Sequence, residues 1–201
     1  MDFLFQILVL IMSVVIHEVS HGYAARYLGD HTAEYEGRLT LNPLKHLDPI
    51  GSFLLPLISY QLGGFLVGWA KLVPYNLYNL RPGRWSEAIV AGAGPLSNIS
   101  IAIVFGLFLR FVSASANPAF LKIVTVIVII NIVLAVFNLV PIPPLDGSKL
   151  LFAIFPEKLY AFRSFFERYS LILLLIFIFF LWDLLLPVVA SIFQLIVGGS
   201  V

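Results

Sequence analysis

The 201-residue chain is 60% hydrophobic and 11% charged, with a mean hydropathy of +1.00, whereas soluble domains are about 45 to 50% apolar and about 25% charged. These values exclude an ordinary soluble domain and predict a multi-pass integral membrane protein, set in the cell membrane if the source is prokaryotic. Lys+Arg 12 against Asp+Glu 11 leaves a formal charge of +1 without any basic run, which argues against nucleic acid as a partner, and the lack of cysteine confines any metal to His and carboxylate.

Apolar runs fall at 3–25, 50–67, 88–111, 120–140 and 171–197. The first follows Met1-Asp2 without the positive stretch of a secretory signal, so it reads as a retained span. The second is short, is interrupted by Pro56 and ends in Gly63-Gly64, which suits a re-entrant segment better than a full crossing. On either side of it, 37–41 (GRLTL) and 66–73 (LVGWAKLV) carry the loose alternation of short strands, with room for a small membrane-associated β-hairpin. The last run holds Asp183 and Pro187, and fits either one long tilted helix or two half-passes meeting there. The expected fold is an all-α polytopic membrane protein: a multi-helix transmembrane bundle with a re-entrant segment, forming one domain over 1–201, with no internal repeat.

Within the first run lies His17-Glu18-Val19-Ser20-His21. A lone segment in lipid must be helical to satisfy its backbone, and on a helix His17 and His21 are neighbours one turn apart. Both imidazoles can therefore bind one zinc ion, with Glu18 beside it as a proton acceptor. The motif sits roughly 21 Å along the helix from Phe3, inside the far leaflet. An ionisable group there costs about 2.5 kcal/mol or more near the bilayer centre, and such groups are usually functional.

A catalytic zinc of this type takes a third protein ligand and an open position. The longer protease pattern is broken, since Ala24 stands for its Gly and Tyr27 for its last His. His31, Glu34, Glu36, His46 and Asp48 follow in the next loop, where polar residues are ordinarily solvated. Asp146 is the better candidate, because it closes the stretch Asn138-Leu-Val-Pro141-Ile-Pro-Pro-Leu-Asp146-Gly147, where a helix ends at prolines and a turn presents the carboxylate. Asn131 and Asn138, seven apart on one face of the fourth run, could line a polar path with Asn98 for water or substrate, or bond between helices.

Taken together, these residues resemble the site-2 protease family of intramembrane zinc metalloproteases, and the small members that lack PDZ and CBS domains in particular. The likeness runs from His17 through GFLVGWAKLVPYN (64–76) and GAGPLSN (92–98) to Gly147. It implies that His17, His21 and Asp146 hold one zinc ion per chain, that Glu18 is the catalytic base, and that the substrate is a transmembrane protein cut in or beside its membrane segment. A substrate helix would have to be unwound and could be held extended by strand addition. The competing expectations are a divalent-metal transporter, or an inactive relative that binds membrane helices.

If His21 and Asp146 share a metal, an even number of crossings separates them, so the second run must return to its own side. Then Arg26, Arg38, Lys45, Lys71, Arg81, Arg84, Lys149, Lys158, Arg163 and Arg168 share the motif's side and leave only Arg110 and Lys122 opposite. Cytoplasmic loops carry the basic excess, so an extracytoplasmic N-terminus and a site opening toward the cytoplasm are expected.

Overall fold

The structure, a computed structural model, describes residues 3–48, 50–63, 71–83, 85–111, 117–155 and 160–198. Nine α-helices are described: α1 (Phe3–Tyr27), α2 (Thr32–Tyr35), α3 (Leu55–Gly63), α4 (Ser86–Phe111), α5 (Pro118–Asn138), α6 (Asp146–Ile154), α7 (Tyr160–Arg168), α8 (Ser170–Ile176) and α9 (Leu185–Val197). Four stretches are long and apolar enough to cross a membrane: α1, α4, α5 and the span Ser170–Val197. Their outward residues, such as Leu4, Leu96, Phe111 and Phe180, are exposed hydrophobics. That surface is matched by lipid tails, and the protein is an all-α polytopic membrane protein.

α1 is apolar as far as Ile16 and stops where Gly29 takes a left-handed backbone, φ +106°. Asp30 N–H donates to Ala25 O at 2.9 Å and Gly29 N–H to Arg26 O at 3.0 Å, the paired bonds that close a helix C-terminus on glycine. Buried Asp30 then ties this end to a later part of the chain. Its carboxylate accepts from Thr32 Oγ1 at 2.5 Å, Asn76 N–H at 2.6 Å and Asn79 Nδ2 at 3.0 Å.

α4 runs antiparallel to α1, since Asn98 lies beside Ser13, and Val90 beside His21. α5 returns alongside both, with Asn131 bonded to Asn98 and to Ser13. Ala102, Val128, Ile132, Val136, Phe193 and Ile196 form the apolar core where α9 packs on α4 and α5. Gly106 makes room for Ile196 there, because a Cβ would collide with its Cγ2.

The chain before and the chain after the second apolar run meet at His46 and Lys71. From His46 the chain follows α1 toward its start, with Ser52 and Pro56 facing the same gap as Ile7, Leu10 and Val14, until the ring of Tyr60 lies 4.4 Å from that of Phe3. Lys71 N–H nevertheless donates to His46 O at 2.8 Å. One π-helical turn, Ile50–Leu54, precedes α3.

Two expectations are corrected or refined. Among the described residues there is no strand. In 37–41 the backbone is spent on turns: Gly37 has φ +62°, Arg38 N–H donates to Ala33 O and Thr40 N–H to Arg38 O, which leaves no ladder to build. Residues 66–70 of the other stretch lie outside the described residues, and 71–73 are irregular. The last run is interrupted by a π-helical turn at Phe177–Leu181 and a 3₁₀ turn at Trp182–Leu184. Pro187 has no N–H for the carbonyl of Asp183, four residues earlier, so the α-helical ladder is broken there. The break stands level with the end of α5, where the ring of Phe137 lies 5.9 Å from that of Trp182.

Candidate metal centre

α1 places His17, Glu18 and His21 in the buried interior, with both histidines facing α4. Asp146 reaches them from the first turn of α6. The connection 139–145 folds tightly on itself, with Ile142 N–H donating to Val140 O and Leu145 N–H to Ile142 O, and a cis peptide joins Pro143 to Pro144. Gly147 is required by this fold, since a Cβ there would overlap the carbonyl of Leu139. Asp146 Oδ2 consequently lies 3.1 Å from His17 Nε2 and 3.1 Å from His21 Nε2.

His17, His21 and Asp146 form the one group of His and carboxylate donors suited to a metal among the described residues, their donor atoms all within 4.8 Å of one another. The far nitrogens of both rings meet oxygen acceptors. His21 Nδ1–H donates to Val90 O at 2.7 Å, and a carbonyl can only accept. His17 Nδ1 lies 2.6 Å from Asn98 Oδ1. Neutral rings that give their protons to these acceptors present both Nε2 lone pairs to a carboxylate oxygen, an arrangement that repels itself unless something electropositive lies between. A tetrahedral zinc with ligand distances of about 2.0 to 2.1 Å separates its ligand atoms by about 3.3 Å, close to the spacing found. The donor set thus fits the ion.

Gly94 supplies the space. A Cβ on it would stand 2.5 Å from the Nε2 atoms of both histidines. Lys149 Nζ lies 3.6 Å from Asp146 Oδ1, on the side away from the histidines, and 5.2 Å from the ring centre of Tyr75. Burial alone would lower the pKa of this ammonium, but the neighbouring Tyr75, Asp146 and Glu87 hold it above its ordinary value, so Lys149 stays charged. Glu18 Oε2 accepts the backbone N–H of Val73 at 2.9 Å. That bond lies between the anchors of the same segment at Lys71 and Asn76.

Asn98 and Asn131 are wholly buried and bonded to each other, to Ser13 and to the backbone. Asn138 is apart from them, its amide donating to Leu134 O of its own helix. The loop candidates stay outside the group. His31 and Arg26 pair with Glu34, the ring of His46 bonds Thr40 O, and Asp48 caps Ile50 and Gly51. Sequence reasoning missed Val73, Val90 and Lys149. The first two act through backbone atoms, on which no side-chain pattern reports, and Lys149 carries no spacing that sets it apart from a solvated lysine.

A buried donor set with two histidines on the membrane-spanning α1 and an aspartate at the start of the short α6 defines the class: a polytopic membrane protein with an internal His, His, Asp group that could hold a metal ion. The sequence profile of peptidase family M50 matches residues 110–182, which include the Asn138-to-Gly147 stretch. The "Putative zinc metalloprotease YwhC" of Bacillus subtilis is 35% identical over 178 residues, covering 85% of this chain and 78% of that protein. The "Putative zinc metalloprotease Rip2" of Mycolicibacterium smegmatis is 34% identical over 137 residues, covering 68% of this chain and 52% of that protein. The "Putative zinc metalloprotease MJ0611" of Methanocaldococcus jannaschii is 31% identical over 157 residues, covering 73% of this chain and 72% of that protein. No solved structure matches the chain. The chain belongs to peptidase family M50, the site-2 protease family.

Proposed function

We propose that the protein is an intramembrane zinc metalloprotease that hydrolyses peptide bonds in or beside the transmembrane segments of other membrane proteins, in regulated intramembrane proteolysis, with residues 1–201 acting as one domain. The observation that carries this reading is the convergence of His17 Nε2, His21 Nε2 and Asp146 Oδ2 with both imidazole protons engaged elsewhere. These three residues would hold one zinc ion per chain. When bound, the ion supplies a Lewis acid that polarises a carbonyl and acidifies water.

The remaining chemistry belongs to the chain. Glu18 is the carboxylate beside the ligands on α1, and it accepts the proton of the attacking water and returns it to the leaving amine nitrogen. The Val73 N–H fixes its Oε2 and leaves Oε1 to take that proton. Helix walls on both sides exclude bulk water, which strengthens each of these interactions. Positions 71–76, held through the backbone N–H groups of Lys71, Val73 and Asn76, lie beside Glu18, where an unwound substrate would meet the site.

The return of the chain from His46 to Lys71 supports the parity argument for a re-entrant second run. The N-terminus is then extracytoplasmic and the site opens to the cytoplasm, where ten of the twelve Lys and Arg lie by that count.

The test is cleavage of a panel of transmembrane-segment reporters in detergent by the purified protein and by Glu18→Gln, with zinc measured on both. One zinc per chain in both and cleavage lost about 10² to 10⁴-fold only in the variant is the expected result. Zinc in both and cleavage by neither would overturn the protease reading in favour of a metal-binding membrane protein.

A further inference from the structure

Two buried amides stand between the metal centre and the backbone of α1 and α5, and both are fully used. Asn131 Nδ2 donates to Ile127 O and to Ser13 Oγ, each at 2.9 Å, and its Oδ1 accepts from Asn98 Nδ2 at 2.8 Å. Asn98 Nδ2 also donates to Ser13 O at 3.3 Å, and its Oδ1 faces His17 Nδ1 at 2.6 Å. Every amide N–H and both amide oxygens have a partner, and Asn98 and Asn131 are each 0% exposed.

The chain of bonds can run in only one direction. A backbone carbonyl has no proton to give, so Ile127 O compels the NH₂ of Asn131 to face it, and Ser13 O compels the same of Asn98. Turning Asn98 over would set its oxygen against the carbonyl of Ser13 and the oxygen of Asn131 at once. Its NH₂ would then face His17 Nδ1, which would have to surrender its proton to Nε2. That proton would occupy the lone pair that points at His21 and Asp146.

We infer that Asn98 is a positioning residue that fixes the tautomer of His17, holding the ring proton on Nδ1 and keeping Nε2 free as a donor to metal, with the sense of the relay set by the carbonyls of Ser13 and Ile127. The inference rests on the reading of His17 as a ligand. It assigns to Asn98 and Asn131 a role unlike that of a water path, since neither has an exposed face. The two histidines are thereby oriented by different means: His21 by the carbonyl of Val90 directly, His17 by a side chain whose orientation is itself dictated from the backbone. Acceptors on the far nitrogen of a ligating histidine commonly carry 10 to 100-fold in metal affinity.

The test uses full-length, ¹⁵N-histidine-labelled protein in detergent, with metal removed by chelator and His17 assigned by its loss in His17→Gln. In the unsubstituted protein the ¹⁵N spectrum is expected to show His17 protonated at Nδ1 and bare at Nε2. Finding the proton on Nε2 would overturn the inference without recourse to any variant. Asn98→Leu, nearly the same size, is expected to give a mixture of tautomers and a 10 to 100-fold weaker zinc affinity by chelator competition. Asn98→Asp keeps an acceptor for Nδ1–H while losing both donors, and is expected to hold the Nδ1–H tautomer with zinc affinity within a few-fold, even where it lowers stability. A purely structural role predicts the reverse order, with the buried carboxylate at least as damaging as leucine. Asn131→Leu removes the arm to Ile127 but leaves Asn98 its anchor in Ser13 O, and is expected to shift tautomer and zinc affinity less than Asn98→Leu; an equal or larger shift would overturn the assignment to Asn98. Unchanged tautomer and zinc affinity in Asn98→Leu would refute the relay. If the unsubstituted protein binds no zinc, the protease reading fails while the tautomer spectra still decide the relay.

Discussion

His17 Nε2 and Asp146 Oδ2 are 129 residues apart in sequence and 3.1 Å apart in space. With the proton of His17 held on Nδ1, that contact sets a nitrogen lone pair against a carboxylate oxygen and is favourable around a cation. Asp146→Asn keeps the shape and removes the charge, so zinc affinity should fall by more than about 100-fold, beyond the 10 to 100-fold of an outer-sphere change. Chelator competition on the purified protein measures it. Retention of full affinity would remove Asp146 from the ligand set.

Gly92 and Gly94 lie half a turn apart on α4 and should respond in opposite ways. A Cβ at Gly92 meets nothing nearer than Leu150 Cδ2 at 3.8 Å, whereas one at Gly94 meets the Nε2 atoms of both histidines at 2.5 Å. Gly92→Ala should be neutral or stabilising by up to about 1 kcal/mol, as alanine is in a helix. Gly94→Ala should abolish zinc binding. Thermal unfolding and zinc content on the pair check both halves of this contrast.

Gly147 is constrained from a different direction. Its missing Cβ would overlap Leu139 and Val140 carbonyl atoms, and backbone cannot yield as a side-chain tip can. Gly147→Ala should displace the start of α6, costing about 3 kcal/mol or more, and should release Asp146 from the histidines. Loss of zinc together with a lowered unfolding midpoint is the expected pair of readings. Normal zinc content would show that the turn can relax.

Asp30 links stability to acid. Burial alone would raise its pKa, but hydrogen bonds from Thr32, Asn76 and Asn79 hold the carboxyl below its ordinary 3.8. A group depressed in the folded state contributes its stability above the unfolded value and loses it as pH falls through the folded one. The contribution is therefore complete above pH 3.8 and fades below it. Asp30→Ala strands several donors and should cost about 2 to 3 kcal/mol at neutral pH. The gap between the unfolding midpoints of the parent and Asp30→Asn should narrow as pH is lowered from 6 to about 3. A gap that stays constant would contradict the assignment.

Much of this arrangement is legible in the chain. The apolar runs mark α1, α4 and α5, because lipid permits no alternative to helix, and Pro56 with Gly63-Gly64 points to a run that returns. The His17 and His21 spacing reports on its own helix, and a turn ending in glycine singles out Asp146. What stays hidden depends on contacts between distant segments. The 37–41 stretch has the alternation of a strand, but Gly37 and the local bonds of Arg38 and Thr40 consume its backbone in turns. Asn98 and Asn131 announce polarity without direction, since only the carbonyls of Ser13 and Ile127 reveal which way each amide must face. Val73 enters through a peptide N–H, which every non-proline residue owns.

The separation of the ligands along the chain also orders events during synthesis. His17 and His21 are made with the first helix, yet Asp146 emerges only after α4 and α5 have been laid down. A chain shorter than this holds only two of the three donors whose atoms lie within 4.8 Å of one another in the fold. A product that ends before Asp146 therefore lacks one of the three donors that the folded chain gathers.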